Sequence, residues 1–389
     1  MPSLFTSLQI MANQYTVSKY EQYNDELLNL YNNGISQYEA CRRVVKTHNL
    51  DCSADSLRYH LKQIIKRSKH PLLAQECDEK GIPIENVRHY WYKGKQFSIF
   101  VKGEQVSYED IRNSIIADVK AHAPNYKPYK YKQDDQSYLL VIDPADIHLN
   151  KLCSAFETTE ACNHDIIYNR VLEGVKGILG YSRGFKIDKI LFIAGNDILH
   201  VDNPKNTTTG GTPQDVSLMW YDAFVLARKL LTECIELLLP IAPVHFQYNP
   251  SNHDYTNGFF LAQTIQAWFS NCESITFDVN MQHRKYFKYG KNIIGTTHGD
   301  GAKETDLALL MAHEAGADWH ECKHRYYYTH HIHHKKSKEY MSVCVESLRS
   351  PSGTDSWHHR NGYQHSPKAV EGYIHSKDNG QISRLTYIF

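Results

Sequence analysis

Val141–Asn150, VIDPADIHLN, is the stretch from which the fold can be read. Leu139-Leu140-Val141-Ile142 is a short apolar run of buried-strand type. Just past its end stand Asp146 and His148, a carboxylate and an imidazole separated by one residue. Both are metal-ligand types. A single Asp-x-His is common by chance, so its weight comes from the residues downstream of it.

Four further ligand-rich stretches come in order, each after a strand-like segment: Gly195-Asn196-Asp197, Ser251-Asn252-His253-Asp254, Thr297-His298-Gly299-Asp300 and His330-His331-Ile332-His333-His334. Oxygen and imidazole donors without cysteine suit manganese, iron or zinc better than a structural zinc site, which usually takes thiolates. Any one block alone reads as an ordinary polar patch. Five in order at the ends of expected strands do not.

Composition narrows the classes. A chain of 389 residues, 41% hydrophobic and 22% charged, has room for two or three domains and belongs to neither the disordered nor the membrane class. No apolar run approaches the ~20 residues of a spanning helix. The opening MPSLFTSLQI has no basic start and no long apolar core, so no signal peptide is expected, and Met11 competes with Met1 as the natural start. Lys+Arg and Asp+Glu balance at 43 each, so any basic surface must be local. Nine cysteines without a C-x-x-C pair point to reduced thiols and a cytoplasmic location.

After a flexible N-terminus, 1–17, residues 18–70 read as a three-helix module. Ser18-x-x-Glu21 and Ser36-x-x-Glu39 are capping-box spellings that mark two helix starts. Asn33-Gly34 supplies a stop between them. After the polar break 47–53, a third helix carries Leu57, Leu61, Ile64 and Ile65 on one face and Arg58, Lys62, Lys66 and Arg67 on others. The three helices resemble a helix-turn-helix module, in which basic residues of the last helix would sit on DNA phosphates. The alternative is a bundle whose basic face is solvated or packs on a partner protein.

Residues 71–136 read as a linker. His89–Lys102 has a strand-like aromatic alternation broken at Lys93-Gly94-Lys95, which predicts a hairpin. Tyr108–Lys120 predicts an amphipathic helix. Pro124–Ser137, rich in Tyr, Lys and Pro, is expected to be a solvated connection, with base stacking as the second reading. From 137 to 389 strands and helices alternate. Ile187–Ala194 and Pro243–Tyr248 read as buried strands around a long helix, Val216–Leu239. Ser274–Val279, Lys285–Tyr289, Asn292–Thr297, Tyr340–Leu348 and a hairpin, Val370–Phe389 turned at Asp378-Asn379-Gly380, complete the strand-like segments. The rhythm is that of an α/β fold with crossovers.

The five blocks resemble the ordered signature of the calcineurin-like metallophosphoesterase superfamily: D-x-H, G-D, G-N-H-D/E, G-H and G-H-x-H. The resemblance implies a four-layer α/β/β/α sandwich over 137–389. It implies two divalent cations, manganese first, with iron or zinc as alternatives. Asp146, His148, Asp197 and His333 would hold one, and Asp197, Asn252, His298 and His331 the other, with Asp197 bridging. His253 would be the catalytic acid that assists the leaving oxygen, with Asp254 orienting its ring. His200 would be an outer-shell or substrate contact.

Three positions depart from the superfamily pattern. Asn196 stands between the usual Gly and Asp, Ser251 replaces the Gly before Asn-His, and His330 replaces the Gly before His331. Glycine permits backbone angles that other residues resist. Loop geometry is therefore less assured than ligand identity. The 51-residue step from Asp146 to Asp197 (197 − 146) implies an added helix around 160–182.

The loop 203–215 lies next to the expected metals and reads equally as a phosphate contact or a plain connection. Thr354–His358 with Gly362-Tyr363 offers an aromatic edge to the cleft. With the helical module in front, the chain resembles bacteriophage and prophage metallophosphoesterases related to DNA-repair exonucleases. That implies a phosphodiester hydrolase acting on DNA, with no membrane partner, in the cytoplasm (the host's if phage-encoded) and with a homodimer left open. The rival readings are a phosphomonoesterase or nucleotidase with a protein-binding N-terminal bundle, and a DNA-binding regulator whose phosphoesterase domain is vestigial.

Overall fold

The chain divides into two units, Met1–Ser107 and Tyr108–Phe389. The computed structural model describes residues 20–80, 84, 87, 89–93, 98–102, 113, 116–117, 119–121, 123–131, 136–363 and 366–389.

In the first unit α1 (Asn24–Asn32), α2 (Gln37–Thr47) and α3 (Ala54–Lys69) enclose Leu27, Ala40, Val44, Leu57, Leu61 and Ile65. Ser36 caps α2, accepting from Glu39 N at 3.3 Å. Ser53, inside the polar break, caps α3 by accepting from Ser56 N at 3.1 Å. These acceptors satisfy amide groups that the first helical turn leaves unpaired. Ser18 lies outside the described residues. Gly34, at φ +82°, stands just past the end of α1.

Helix α4 (Pro71–Glu79) comes next, and it changes the reading of the basic face. Arg67 donates through both terminal nitrogens to Asp78 at 2.9 Å, and Lys66 Nζ donates to the carbonyls of Ile84 and Val87 at 2.7 and 2.6 Å. Lys66 and Arg67, both expected on phosphates, are thus engaged within the unit; half-buried Arg58 also has a partner, and Lys62 is exposed. Strands β1 (His89–Lys93) and β2 (Ser98–Lys102) form the expected antiparallel hairpin, although its turn, Gly94-Lys95, lies outside the described residues. The expected helix Tyr108–Lys120 falls largely outside them too.

The second unit runs β3 (Tyr138–Asp143), α5 (Ala155–Thr158), α6 (His164–Tyr181), β4 (Ile187–Gly195), α7 (Trp220–Leu238), β5 (Val244–Asn249), α8 (Tyr255–Trp268) and β6 (Ile275–Asp278). It continues with β7 (Lys285–Tyr289), β8 (Asn292–Thr297), α9 (Leu307–Glu314), α10 (Gly316–Glu321), β9 (His324–Thr329), β10 (Lys336–Tyr340), β11 (Val343–Ser347), α11 (Ser356–Arg360), β12 (Ala369–Ser376) and β13 (Gly380–Ile388). One sheet has the order β13-β12-β3-β4-β5-β6 and the other β10-β11-β9-β8-β7. Strands β3 to β6 are mutually parallel, as are β8, β9 and β11.

Side-chain alternation assigns the layers. Leu139, Val141, Leu191 and Ile193 meet Ile294, Tyr328 and Tyr373 in one buried cluster between the sheets. Their neighbours Leu140, Ile142, Ile190 and Phe192 turn the other way, onto Val171, Val175, Leu230 and Ile265 of the helices. Beyond the second sheet, Ile293, Tyr327 and Val345 pack on Leu307 and Met311. Helices, sheet, sheet, helices is the four-layer sandwich expected from the sequence.

Two stretches depart from expectation. The segment read as one strand, Tyr340–Leu348, turns at Met341-Ser342, both at positive φ, so that β10 and β11 form a hairpin. The tract at 124–137 is no solvated linker where it is described. Tyr126 stacks on Phe269 (centroids 5.2 Å apart) and donates to Glu236 Oε1 at 3.0 Å, while Tyr131 OH donates to the Leu239 carbonyl at 2.8 Å. An aromatic body with a polar tip seats well at such an edge, and the Tyr126 ring is thereby taken from any base.

Candidate metal centre

Parallel strands deliver their carboxyl ends to one side of the sandwich, which is where open α/β sheets place ligands. Loops after β3, β4 and β5 bring Asp146 and His148, then Asp197, then Asn252 and His253; loops after β8 and β9 bring His298, then His331 and His333. The first two loops continue to pair past their strands, with Asp146 N donating to Asn196 O at 2.9 Å and His148 N to Asp197 O at 2.8 Å. Asp146, His148, Asp197, His331 and His333 all have φ between +44° and +72°. Asp, Asn and His tolerate this region better than other side chains. It still carries strain on the order of 1–3 kcal/mol per residue, which concentrates at functional sites.

Two donor sets result. In the first, His148 Nε2 is 3.2 Å from His333 Nε2 and 3.8 Å from Asp197 Oδ2, and His333 Nε2 is 3.6 Å from Asp146 Oδ1. In the second, His298 Nε2 is 2.8 Å from Asn252 Oδ1, 3.2 Å from His331 Nδ1 and 3.3 Å from Asp197 Oδ2. Four donors about 2.1 Å from one ion at tetrahedral angles stand roughly 3.4 Å apart, so both spacings fit a divalent cation. The same oxygen of Asp197 serves both sets. Its other oxygen accepts from His253 N at 2.9 Å.

The electrostatics match. Burial pushes His148 well below its ordinary value and His333 down to about 4, so both rings are neutral, the form that ligates. Burial opposes a charge on His298, yet Asp197 and Asp146 lift it to about 9. That is the mark of a field that favours positive charge. Asp197 is pushed up by burial and pulled further down by His298 and His253, so it stays ionised.

Of the auxiliary residues, Asp254 departs from expectation. His253 is oriented by the His200 carbonyl, which accepts from Nδ1 at 3.0 Å. Asp254 does not hold that ring. It accepts from Leu199 N and Ser251 Oγ, each at 2.8 Å, and burial with the nearby Asp197 charge raises it to about 7. His200 is buried behind His148, with their Nδ1 atoms 3.2 Å apart. The hydroxyls of Thr207, Thr208 and Thr209 are engaged within the 202–212 region, and Thr209 also caps α8 together with Asp202. This loop is a brace for Asn252, whose carbonyl accepts from Thr209 N at 3.2 Å.

Three supporting groups escape a reading of the sequence alone. Asp143 Oδ2 meets His330 Nε2 at 2.9 Å, with both residues buried. Ser350 Oγ donates to the Asp146 carbonyl at 2.6 Å. Buried Lys151 pairs with Asp355 at 2.8 Å, Asp355 holds His358 Nδ1 at 2.7 Å, and the His358 ring stacks on His333. For Asp143 a signal exists, because an acid closing an otherwise apolar buried strand must find a partner. Lys151 has none, since its partner lies 204 positions away (355 − 151).

No family model and no curated protein matches the sequence. Among solved structures, similarity extends to an archaeal phosphodiesterase at 11% identity, covering 64% of this chain and 99% of that one with TM-score 0.32. It extends also to zinc-complexed Vps29 of Entamoeba histolytica (12%, 64% and 98%, TM-score 0.26) and to a Streptococcus pneumoniae protein described as a predicted phosphoesterase (12%, 65% and 99%, TM-score 0.26). At such values the likeness carries no argument, and the layers and donor sets stand on their own distances.

Proposed function

We propose that this chain is a phosphodiester hydrolase that works with two divalent cations and takes nucleic acid as its substrate. The observation that carries the reading is Asp197 Oδ2, 3.8 Å from His148 Nε2 and 3.3 Å from His298 Nε2, an oxygen shared by two donor sets. Asp146, His148 and His333 with Asp197 would hold one cation; Asn252, His298 and His331 with Asp197 the other. Bound there, such a pair supplies Lewis acidity that offsets phosphoryl charge and makes a water acidic enough to attack near neutral pH.

The chain's own residues do the rest. Buried carboxylates and neutral imidazoles hold a fixed charge pattern that need not reorganise during reaction. His253 keeps its Nδ1 proton on the His200 carbonyl throughout; as the imidazolium it would hand its second proton from Nε2 to the leaving oxygen and return to the neutral Nδ1–H ring. His331 and Ile332, both exposed, mark the side from which substrate enters.

The nucleic-acid reading draws on the helical first unit, whose third helix carries Arg58 and exposed Lys62 beside the internally paired Lys66 and Arg67. Manganese-loaded protein should cleave bis-p-nitrophenyl phosphate faster than the monoester, bind close to two metal ions per chain and lose both properties in Asp197→Asn. Turnover of the monoester alone would make it a phosphatase. Loss of DNA retention in a shift assay when 1–70 are removed would assign recruitment to the helical unit; unchanged retention would end that part of the reading.

A further inference from the structure

Beside the metal centre runs a row of rings. His358 lies parallel to His333 (centroids 5.0 Å apart, 15° between planes), Trp357 stands 5.1 Å from His358, and Tyr363 stands 5.8 Å from Trp357. The outer two are open to solvent, Trp357 at 61% and Tyr363 at 57%. Phe156, 99% exposed, sits on α5, which packs beside α11. Three large rings exposed side by side next to the metal centre are beyond what folding requires.

A cation lies beside the row. A cleft of about 380 Å³ adjoins it, lined by Tyr363, His334, Lys335 and Arg349 among others. Arg349 is tied to Glu371 at 2.6 Å, which leaves exposed Lys335 as the cation facing the cleft mouth. The acid in the row, Asp355, is paired with Lys151 at 2.8 Å and hydrogen-bonded to His358 at 2.7 Å. Flat apolar faces beside a cation suit a chain of bases linked by phosphates. Bases inside a duplex have both faces covered, so these rings can receive only unpaired ones.

We propose that Tyr363 and Trp357 seat the nucleotides of a single-stranded nucleic acid beside the bond to be cleaved, with Lys335 taking a neighbouring phosphate. The inference rests on the phosphodiesterase reading and names its substrate class. It gives the chain a preference for unpaired strands, ends or flaps over intact duplex.

Wild type, Trp357→Ala, Trp357→Phe and Tyr363→Ala, all manganese-loaded, are to be compared on a short oligothymidylate, the matching oligouridylate and bis-p-nitrophenyl phosphate. The expected result is an oligonucleotide-to-small-diester ratio of kcat/KM about tenfold lower in the alanine variants, carried by KM and largely restored in Trp357→Phe. The strand chemistry showing the larger drop identifies DNA or RNA. Fluorescence anisotropy of labelled oligomers should show the same loss of affinity. Ratios and affinities within twofold of wild type in both alanine variants overturn the proposal and leave the phosphodiesterase intact. Absence of any diester turnover overturns the phosphodiesterase, and the Trp357 dependence of oligomer binding then decides this inference alone.

Discussion

His253 donates its Nδ1 proton to the main-chain oxygen of His200 across 3.0 Å, while its own amide donates to Asp197 Oδ1 at 2.9 Å. The ring is thus fixed from both ends in one tautomer without being a member of either donor set. His253→Gln should keep close to the wild-type metal content and lose on the order of 10²–10⁴-fold in kcat on bis-p-nitrophenyl phosphate. Metal analysis and steady-state rates on one preparation check it. Metal lost in parallel with rate would make His253 a ligand.

Ser251, where the superfamily pattern has glycine, uses its hydroxyl twice: Oγ accepts from Asp197 N at 2.7 Å and donates to Asp254 Oδ1 at 2.8 Å. All three residues are buried. Ser251→Ala leaves a donor and an acceptor unmet and should lower unfolding stability by about 2–6 kcal/mol, at roughly 1–3 kcal/mol for each buried group left unpaired. Urea denaturation measures this directly. A change under about 0.5 kcal/mol, the scatter of ordinary surface substitutions, would mean that water replaces the hydroxyl.

How much of this is legible in the sequence depends on range. The unbroken apolar runs LLVI and ILFIA are a local property, and they place β3 and β4 with their end loops to within a residue. Capping at Ser36 is equally local. The β10–β11 turn is hidden because Met341 and Ser342 are not residues that advertise positive φ. The seat of Tyr126 is hidden because the surface that receives it, Glu236 and Phe269, lies more than a hundred positions on. The departures from glycine look like damage in one dimension. In three dimensions Asn196 adopts the left-handed angle itself (φ +53°), and Ser251 and His330 each bring a polar group that glycine lacks.

Acid should weaken the sandwich from between its sheets. His375 is fully buried, with Nε2 2.9 Å from Tyr328 OH; burial pushes the ring from the ordinary 6.5 down to about 3. The unfolded chain takes up this proton as pH falls through 6.5, and the folded chain resists until about 3, so the contribution is whole above 6.5 and drains away across that window. By pH 4 it amounts to roughly 3 kcal/mol. Denaturation of wild type and His375→Gln at pH 7, 5.5 and 4, both stripped of metal, isolates it. The difference between the two curves should shift toward the variant as pH falls, and parallel curves would refute the assignment.

His330 replaces the last of the expected glycines, and its ring bridges the two sheets. Nδ1 donates to the Thr297 carbonyl and Nε2 meets Asp143 Oδ2, both at 2.9 Å. Burial works against charge on His330, but the Asp143 carboxylate outweighs it and holds the imidazole above its ordinary value. Among the described residues the other carboxylate oxygen has no partner, so this one contact carries the whole of a buried acid. Removing the ring alone strands that acid; removing both members returns the site to an apolar interior. His330→Ala should therefore lose about 3–5 kcal/mol, and adding Asp143→Leu to it should recover part of the loss even though a second side chain has been replaced. The adjoining His331 amide donates to Asp146 at 3.0 Å, so the single variant should also bind manganese more weakly than the double. Calorimetric melts and metal titrations of the four proteins complete the cycle, and a double variant less stable than His330→Ala would show that the pair contributes through packing and not through charge.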